Sequence, residues 1–193
     1  MKIDPRARPV RTRLAHALGV VANDRAWRRG ASGERVTAMW LGRLPEGWHV
    51  FHDVPVGDRG ANIDHVVIGP GGVFTVNTKN LTGKLWVGAT SIRRNGHPTD
   101  FLRKSIAEAR RASRLLSSAV GRAVEVRAIL AILADEWTIL EEPADVIVRG
   151  PRGAKNLMLT QPGALTPREV LELSAAASKP GTWTAGRDPR SLP

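Results

Sequence analysis

A carboxylate, a carboxamide and an ammonium group lie within one apolar stretch of this sequence, at Asp64, Asn77 and Lys79. Carboxylate and amide oxygens are ligands for hard cations such as Mg²⁺, and a lysine beside such a cation can orient an attacking water or stabilise a phosphate. The set therefore indicates chemistry on a phosphate group. The alternative is an inert ion pair between Asp64 and Lys79 inside a sheet, and the spacing alone does not decide between the two.

The residues around this set have the pattern of a β-hairpin. Two runs of β-branched and aliphatic residues flank the turn sequence Gly-Pro-Gly-Gly at positions 69–72. If Ile68 pairs with Val73 across the turn, Asp64 comes opposite Asn77, and the lysine lies on the same face. Both faces of the hairpin are otherwise mainly apolar, so we expect it inside a sheet that other elements cover.

A helix upstream of the hairpin can bring a second carboxylate to the same place. Ser32 is a favourable N-cap, and apolar residues recur at helical spacing up to about Leu44. Glu34 then lies in the first turn of this helix. The helix dipole alone also explains an acid at that position, so Glu34 by itself does not indicate a site.

Taken together, these segments resemble a known family. Gly33-Glu34, Ile63-Asp64-His65, the segment 73–80 and Gly83 are similar to the nuclease-related domain (NERD) family over about residues 31–120. The resemblance implies a restriction-endonuclease-like core of the PD-(D/E)xK type. It also implies a nuclease whose acidic and lysine residues hold Mg²⁺, or Mn²⁺, for phosphodiester hydrolysis.

The resemblance implies a role for each catalytic candidate. Glu34 would match the acid of the helix, Asp64 the first acid of the strands, and Lys79 the lysine that ends the second strand; Glu34, Asp64 and Asn77 would be the metal ligands. Asn77 departs from the wider pattern, which has Glu or Asp there, so the site loses a negative charge but keeps an oxygen ligand. Two other function classes therefore stay open: a nucleic-acid-binding module of the same fold that does not cleave, and a structural or protein-interaction domain.

Composition limits the class of protein. A chain of 193 residues with 42% hydrophobic residues can form one domain with its own core. The absence of cysteine excludes disulfides and thiolate zinc sites, and the five histidines are scattered, so we expect any metal to be bound through oxygen. A net charge of +11 favours nucleic acid as the partner, with DNA expected before RNA, although an arginine-rich coding bias would give the same excess.

Residues 1–30 form a basic extension that is either a phosphate-contacting arm or a solvated terminus. A signal peptide would also begin with basic residues, but His16 and Gly19 interrupt a short apolar run, and no convincing cleavage site follows. We therefore expect a cytoplasmic protein. No stretch approaches the length of a transmembrane helix, so we expect no membrane partner.

Five further basic residues are candidates for contacts with nucleic-acid phosphates: Arg59, Arg93, Arg94, Arg103 and Lys104. The first lies in the loop before the hairpin, the next two in a basic turn, and the last two on the polar side of a long helix. Charge in contact with solvent is the commoner role of such residues, and the sequence leaves both roles open.

The second half of the chain contributes a long helix and further strands. The helix begins at Thr99 or Asp100, ends near Val120 and carries a regular apolar stripe. Strands are predicted at 124–133 and 144–148, followed by a basic loop at 149–156. A capping box at Thr166 and Glu169 predicts the start of a terminal helix.

The expected fold class is α/β, with a mixed β-sheet flanked by helices. The order is a helix, a three-stranded meander, a long helix and further strands, which is similar to the restriction-endonuclease-like core. After the hairpin we expect a turn at 80–83 and a short strand at 84–87. The chain then divides into the basic extension, a nuclease-related domain over 31–178 and a tail over 179–193.

Overall fold

The structure, a computed structural model, describes residues 30–56 and 61–184 of the chain. In these residues, seven strands form one mixed sheet, and helices cover both of its faces. The fold class predicted from the sequence, a mixed α/β core with a sheet flanked by helices, is confirmed. None of the helices in the described ranges is long and apolar enough to cross a membrane.

The strands are β1 (His49–Val56), β2 (Ala61–Gly69), β3 (Gly72–Val87), β4 (Ile92–Arg94), β5 (His97–Pro98), β6 (Val126–Ile139) and β7 (Val146–Arg149). The helices are α1 (30–41), α2 (Phe101–Val120), α3 (Pro151–Thr160), α4 (Pro167–Ala177) and α5 (Pro180–Thr184).

Strand β3 is the centre of the sheet. Strands β1 to β5 pair in sequence order as antiparallel neighbours, whereas β6 pairs in parallel with β3, and β7 pairs in parallel with β6. A parallel pair needs a crossover, and α2 provides it between β5 and β6. Because β6 follows one edge of β3 along nearly its whole length, β2 and β4 share the other edge.

The predicted register of the hairpin is confirmed near the turn and stops just before the candidate site. Ile68 pairs with Val73, and the last pair of the β2–β3 ladder is His65 with Val76. On the same edge of β3, pairing with β4 begins at Leu85. The β2–β3 ladder thus ends at Val76 and the β3–β4 ladder begins at Leu85, which leaves an interval between the two ladders on this edge.

Two apolar layers hold the sheet between the helices. On one face, α1 and α3 cover a cluster that includes Leu41, Phe74, Ile129 and Met158. On the other face, α2, α4 and α5 cover larger clusters around strands β1 to β3 and around β6 and β7. The helices thereby fix β3 from both sides.

The expected turn at 80–83 is wrong, because β3 runs on as a single strand of 16 residues. The break that the sequence indicated is a bulge: the pairing with β6 shifts register between Leu81 and Lys84. Gly83 has φ +91, a backbone conformation that a glycine adopts without strain. Pairing with β6 keeps the chain extended through this irregularity.

The expected basic loop at 149–156 is also wrong beyond its first residues. Pro151 is the first residue of α3, where a proline is favourable because the amide hydrogen that it lacks would have no helical partner.

Helices α2 and α4 follow their predictions: α2 spans Phe101–Val120, and Thr166 and Glu169 form the capping box of α4. Helix α1 differs, because it already includes residue 30, so Ser32 lies inside it instead of capping it, and it ends at residue 41 rather than near Leu44. Helix α5 lies in the segment that the sequence predicted as a tail. Trp183 of α5 is buried in the core, so the folded chain extends at least to that helix.

Candidate active site

The candidate site lies where the β2–β3 ladder opens. Asp64 directly precedes His65, the last residue of β2 that pairs with β3, and its Oδ2 accepts a hydrogen bond of 2.7 Å from the backbone N–H of Thr78 on β3. The N–H of Thr78 therefore donates to a side chain, that of Asp64, and not to a backbone carbonyl of β2. Its other oxygen stays available at the open edge of the sheet.

Strand β1 has an irregularity directly opposite Asp64. Asp53 falls between the pairs His52–His65 and Val54–Ile63, and its φ of 50° is unusual for a residue other than glycine. Its Oδ1 accepts a hydrogen bond of 2.6 Å from Nδ2 of Asn62. Backbone outliers of this kind concentrate at functional sites, and this one places a further carboxylate beside Asp64.

Asn77 is buried between two charged side chains of opposite sign. Its Nδ2 donates to both carboxylate oxygens of Glu108, at 2.7 and 2.8 Å, and its Oδ1 accepts from Nζ of Lys79. A carboxylate can only accept and an ammonium can only donate, so the charges fix which end of the amide faces which partner.

Lys79 is held beside the open edge of β3 through neutral acceptors. In addition to Asn77, its Nζ donates to the backbone oxygen of Thr78 at 3.1 Å and lies 5.8 Å from the ring centre of Phe101. Among the described residues, Lys79 and Asp64 form no direct ion pair. An ammonium has three N–H donors, so one of them is available to a ligand.

Glu34 reaches the same opening from the other side of the sheet. Helix α1 packs on the face opposite to Asn77: the Thr78 hydroxyl donates to Thr37 Oγ1 at 3.0 Å, and a Cβ on Gly33 would lie only 2.6 Å from Cβ of Asn80. This close approach brings Glu34, the residue after Gly33, to the part of β3 that lies between its pairing with β2 and its pairing with β4.

Burial and neighbouring charges shift the pKa values of Glu34 and Asp64 in the same direction. Burial raises the pKa of Glu34, the negative charges of Asp64 and Asp53 add to the rise, and Lys79 opposes it. Burial likewise raises the pKa of Asp64, against the hydrogen bond from Thr78 and the charge of Lys79. Burial is the main cause of both shifts. Four carboxylates, those of Glu34, Asp53, Asp64 and Glu108, interact here with two lysines, Lys79 and Lys104, so negative charge exceeds positive charge, and a bound cation would relieve the imbalance.

Glu108 of α2 is a member of the site that the sequence prediction missed. Burial raises its pKa and the charge of Asp64 adds to the rise, whereas the hydrogen bond from Asn77 lowers it. A signal for it existed: Glu108 lies three residues after Ser105 and four before Ala112, which are both buried, so it belongs to the inward face of α2. An acid on such a face needs a partner.

The described residues fit a hydrated metal ion rather than a closed protein cage. No group of three His, Asp or Glu side chains in the described ranges is arranged to enclose a metal. Mg²⁺, however, usually keeps several waters and takes one or two carboxylates together with phosphate oxygens of its substrate. Glu34 and Asp64 match that requirement. The oxygen of Asn77 already accepts from Lys79 and has one lone pair left for a cation.

The two basic candidates on β4 are tied to the sheet. Arg94 donates from Nε to the backbone oxygen of Thr82 at 3.0 Å and from Nη2 to the Thr82 hydroxyl at 3.1 Å. Arg93 donates to the backbone oxygen of Gly96 at 3.4 Å. Both arginines lie in a strand instead of the predicted turn, because the turn that joins β4 to β5 consists of Asn95 and Gly96.

The two basic candidates on α2, Arg103 and Lys104, lie beside carboxylates of the same helix and of its N-cap residue. Arg103 and Lys104 both contact the carboxylate of Asp100, at 3.3 and 3.0 Å. Lys104 also influences Glu108, whose pKa its charge lowers. The remaining candidate, Arg59, lies outside the described residues.

A pair of histidines lies beside the site on β1 and β2. The Nδ1 atoms of His52 and His65 are 2.8 Å apart, so one ring donates to the other. Burial and the neighbouring His52 lower the pKa of His65 to about 4. His65 is therefore neutral at physiological pH and has a structural role in the ladder.

Comparisons of the sequence with known proteins found a family model and a similar protein. A family model described as "Nuclease-related domain" matches residues 29–133, which is more than half of the chain. This range contains Glu34, Asp64, Asn77, Lys79 and Glu108. An uncharacterized protein of Bacillus anthracis is 41% identical over 64 residues, which make up 31% of this chain and 29% of that protein. The match thus spans less than a third of the relative. No solved structure is significantly similar.

Proposed function

This chain belongs to the nuclease-related domain family, and on that premise we propose that it hydrolyses phosphodiester bonds of nucleic acids with the help of Mg²⁺ or Mn²⁺. One observation carries the proposal. Where the β2–β3 ladder opens, Asp64 and Lys79 lie on neighbouring strands, and the charges of both act on Glu34 of helix α1.

The cation would be held by Glu34 and Asp64, with the free lone pair of Asn77 Oδ1 as a neutral ligand. When bound, such an ion polarises the phosphate oxygens and makes a coordinated water more acidic. Asp64 is well prepared for this role, because the Thr78 N–H fixes one carboxylate oxygen and leaves the other free. Glu34 completes the pair across the opening.

Lys79 would act on the phosphate itself. In hydrolysis, the oxygen of a water bonds to phosphorus while a bridging phosphorus–oxygen bond breaks, the departing oxygen gains a proton, and the water loses one. Negative charge increases on the phosphate oxygens during this step. The remaining N–H of Lys79, whose other donors are held by Asn77 and Thr78, can donate to these oxygens and stabilise that charge.

Glu108 would supply the negative charge that Asn77 does not. Its two oxygens accept from Asn77 Nδ2, and its charge acts on Asp64 and Lys79. The same contact turns the oxygen of Asn77 towards Lys79. We therefore assign Glu108 as a positioning residue that keeps the strand amide and the lysine in place.

A second candidate function is a module that binds nucleic acid without cleaving it. The observation that favours it is the bonding of Asn77, whose two polar ends are both engaged by Glu108 and Lys79. An amide so engaged is a weaker metal ligand than the carboxylate that the wider family pattern has there.

Titration of Mg²⁺ into purified protein with labelled single-stranded and double-stranded DNA and RNA distinguishes the two candidates. Cleavage that requires the metal and stops when EDTA is added supports the enzyme. Binding at every metal concentration without cleavage supports the module. The same substrates show whether DNA or RNA is preferred.

A further inference from the structure

A second functional feature lies on the outer side of α2. A groove of about 750 Å³ runs between this helix and residues 143–146, which are the end of the β6–β7 connection and the first residue of β7. Four arginines line it: Arg103, Arg110, Arg111 and Arg114. None of these arginines has been given a role in hydrolysis.

The arginines are arranged in a row along the helix. Arg103, Arg110 and Arg114 are separated by seven and four residues, spacings that place them on one face of an α-helix, and Arg111 lies beside them. At 1.5 Å per residue the row is roughly 16 Å long. This length equals about five nucleotides of a strand that rises 3.4 Å per base.

Three arginines of the groove form no ion pair with described residues of the protein. Arg110, Arg111 and Arg114 are exposed and have no hydrogen bond or ion pair with any described residue. Elsewhere, Arg122 and Arg149 each contact glutamates. Four acids lie near the row without pairing with these three arginines: Asp145 lines the groove, Asp100 contacts Arg103, and Glu108 and Glu125 line adjoining cavities. Three guanidinium groups thus remain for an external anion.

The groove leads to the candidate active site. A neighbouring cavity of about 280 Å³ is lined by Lys104 and Glu108, and it shares Arg103, Ala107 and Arg111 with the groove. Since Glu108 contacts Asn77 in the site, a ligand that passes over the small side chain of Ala107 can reach from the carboxylates to the arginine row.

We propose that this groove binds the phosphate backbone of a nucleic-acid strand and guides the part of the strand that extends beyond the candidate active site. The inference rests on the proposed function for the direction of the strand, but binding in the groove needs no metal. Guanidinium groups suit the task because they bind phosphate oxygens through two parallel hydrogen bonds. Apolar atoms of Leu102 and Ile106 give the sugars a surface to contact.

The first test removes charge from the groove. In EDTA, we expect Arg110→Ala/Arg114→Ala to bind a labelled single strand of about 20 nucleotides more weakly than the wild type does. The slope of log K against log salt concentration should also be shallower by about 1.4, because each phosphate contact on a single strand contributes roughly 0.7 to that slope. Arg168→Ala/Lys179→Ala is the matched control: it removes the same charge from exposed positions outside the groove. Equal losses in both variants would overturn the proposal.

The second test locates the strand. The chain contains no cysteine, so Ala107→Cys places a single thiol between the two cavities, and Ala175→Cys places one on the exposed side of α4. We expect the nucleic acid to protect the first thiol, and not the second, from alkylation in EDTA. Protection of the first thiol by an acidic polypeptide but not by nucleic acid would assign the groove to a protein partner and overturn the proposal.

Failure of this proposal can be distinguished from failure of the proposed function. Protection of the thiol in Ala107→Cys without cleavage in Mg²⁺ would support binding in the groove and contradict the proposed nuclease activity. The opposite result is cleavage by the wild type with an unprotected thiol in Ala107→Cys and an unchanged salt slope in Arg110→Ala/Arg114→Ala. It would contradict binding in the groove and support the nuclease activity.

Discussion

At the scale of single residues, Asn77 has a distinctive position, because its amide joins a carboxylate from α2 to a lysine from its own strand. The usual acid at this position would meet Glu108 at hydrogen-bonding distance, with no proton donor between them. Asn77 on the strand and Glu108 on the helix therefore depend on each other. The effect of a substitution at one of them should be compared with that of substitutions at both.

We predict that Asn77→Asp destabilises the protein in EDTA by about 1–3 kcal/mol, because the donor to Glu108 is lost and two carboxylates come into contact. Adding Glu108→Gln should recover most of that loss, since the pair is then an acid on the strand and an amide on the helix. Urea unfolding of the wild type, the single variant and the double variant measures both effects. Equal stability of the wild type and Asn77→Asp in EDTA would mean that the contact does not contribute.

The raised pKa of Asp64 predicts a pH dependence of stability. A folded-state pKa above the ordinary 3.8 means that the native state holds its proton longer than the unfolded chain, so stability falls as the pH rises through this window. At neutral pH in EDTA, Asp64→Asn should therefore melt at a higher temperature than the wild type, and the difference should vanish below pH 3.8. Its amide oxygen can still accept from Thr78.

Addition of Mg²⁺ should reverse this order, because the ion stabilises the protein that retains the carboxylate. Melting curves of the wild type and Asp64→Asn with and without Mg²⁺ provide the comparison. A wild type that is already the more stable of the two in EDTA would contradict the excess of negative charge at this site.

At the scale of elements, the distance between α1 and β3 determines whether Glu34 reaches Asp64. Gly33 allows the close approach, since a Cβ there would come within 2.6 Å of Asn80 and 3.3 Å of Thr78. A helix that moves away from the strand would carry Glu34 with it. Gly33 therefore determines how closely α1 packs against β3, and through that packing whether Glu34 belongs to the site.

We predict that Gly33→Ala destabilises the protein by about 1–3 kcal/mol, because the clash with β3 outweighs the gain in helix propensity of about 1 kcal/mol. Gly30→Ala, at a position of the same helix with nothing within 4 Å of the added Cβ, should be neutral or slightly stabilising. Thermal unfolding measures the stability, and Mg²⁺-induced stabilisation measures the effect on the site. A stable Gly33→Ala protein that responds fully to Mg²⁺ would contradict the tight contact.

The helices and strands also show which features of the fold can be predicted from the sequence and which cannot. The register from Ile68 to Val73 and the capping box at Thr166 were predictable because neighbours in sequence determine them. The continuity of β3 through Gly83 was not, because it depends on pairing with β6, about fifty residues further along the chain. Glu108 was missed for the same reason: its role depends on how α2 packs against β3.

At the scale of the whole molecule, positive charge is concentrated in the segment that precedes the described fold. Residues 1–29 contain eight basic and two acidic side chains, so they carry six of the eleven net positive charges. Charge of this density favours binding to a polyanion by releasing counterions, and such binding weakens steeply as salt is added. The segment and the groove on α2 would thus act on one ligand.

We predict that deletion of residues 1–29 lowers the affinity for nucleic acid and reduces the salt dependence of binding without unfolding the domain. Fluorescence anisotropy at several salt concentrations measures the affinity and its slope, and circular dichroism verifies the fold. An unchanged affinity and slope would show that the segment does not contact the ligand.

Cleavage of a labelled nucleic-acid strand by the wild type and by Asp64→Asn, purified identically and compared at the same Mg²⁺ concentration, tests the central claim most directly. Loss of a metal-bound carboxylate should slow phosphodiester hydrolysis by at least about 100-fold, since it removes several kcal/mol of transition-state stabilisation. Asp64→Asn should remain folded and should still bind the strand. Equal cleavage by the two proteins would contradict the claim that Asp64 holds the catalytic cation where the β2–β3 ladder opens.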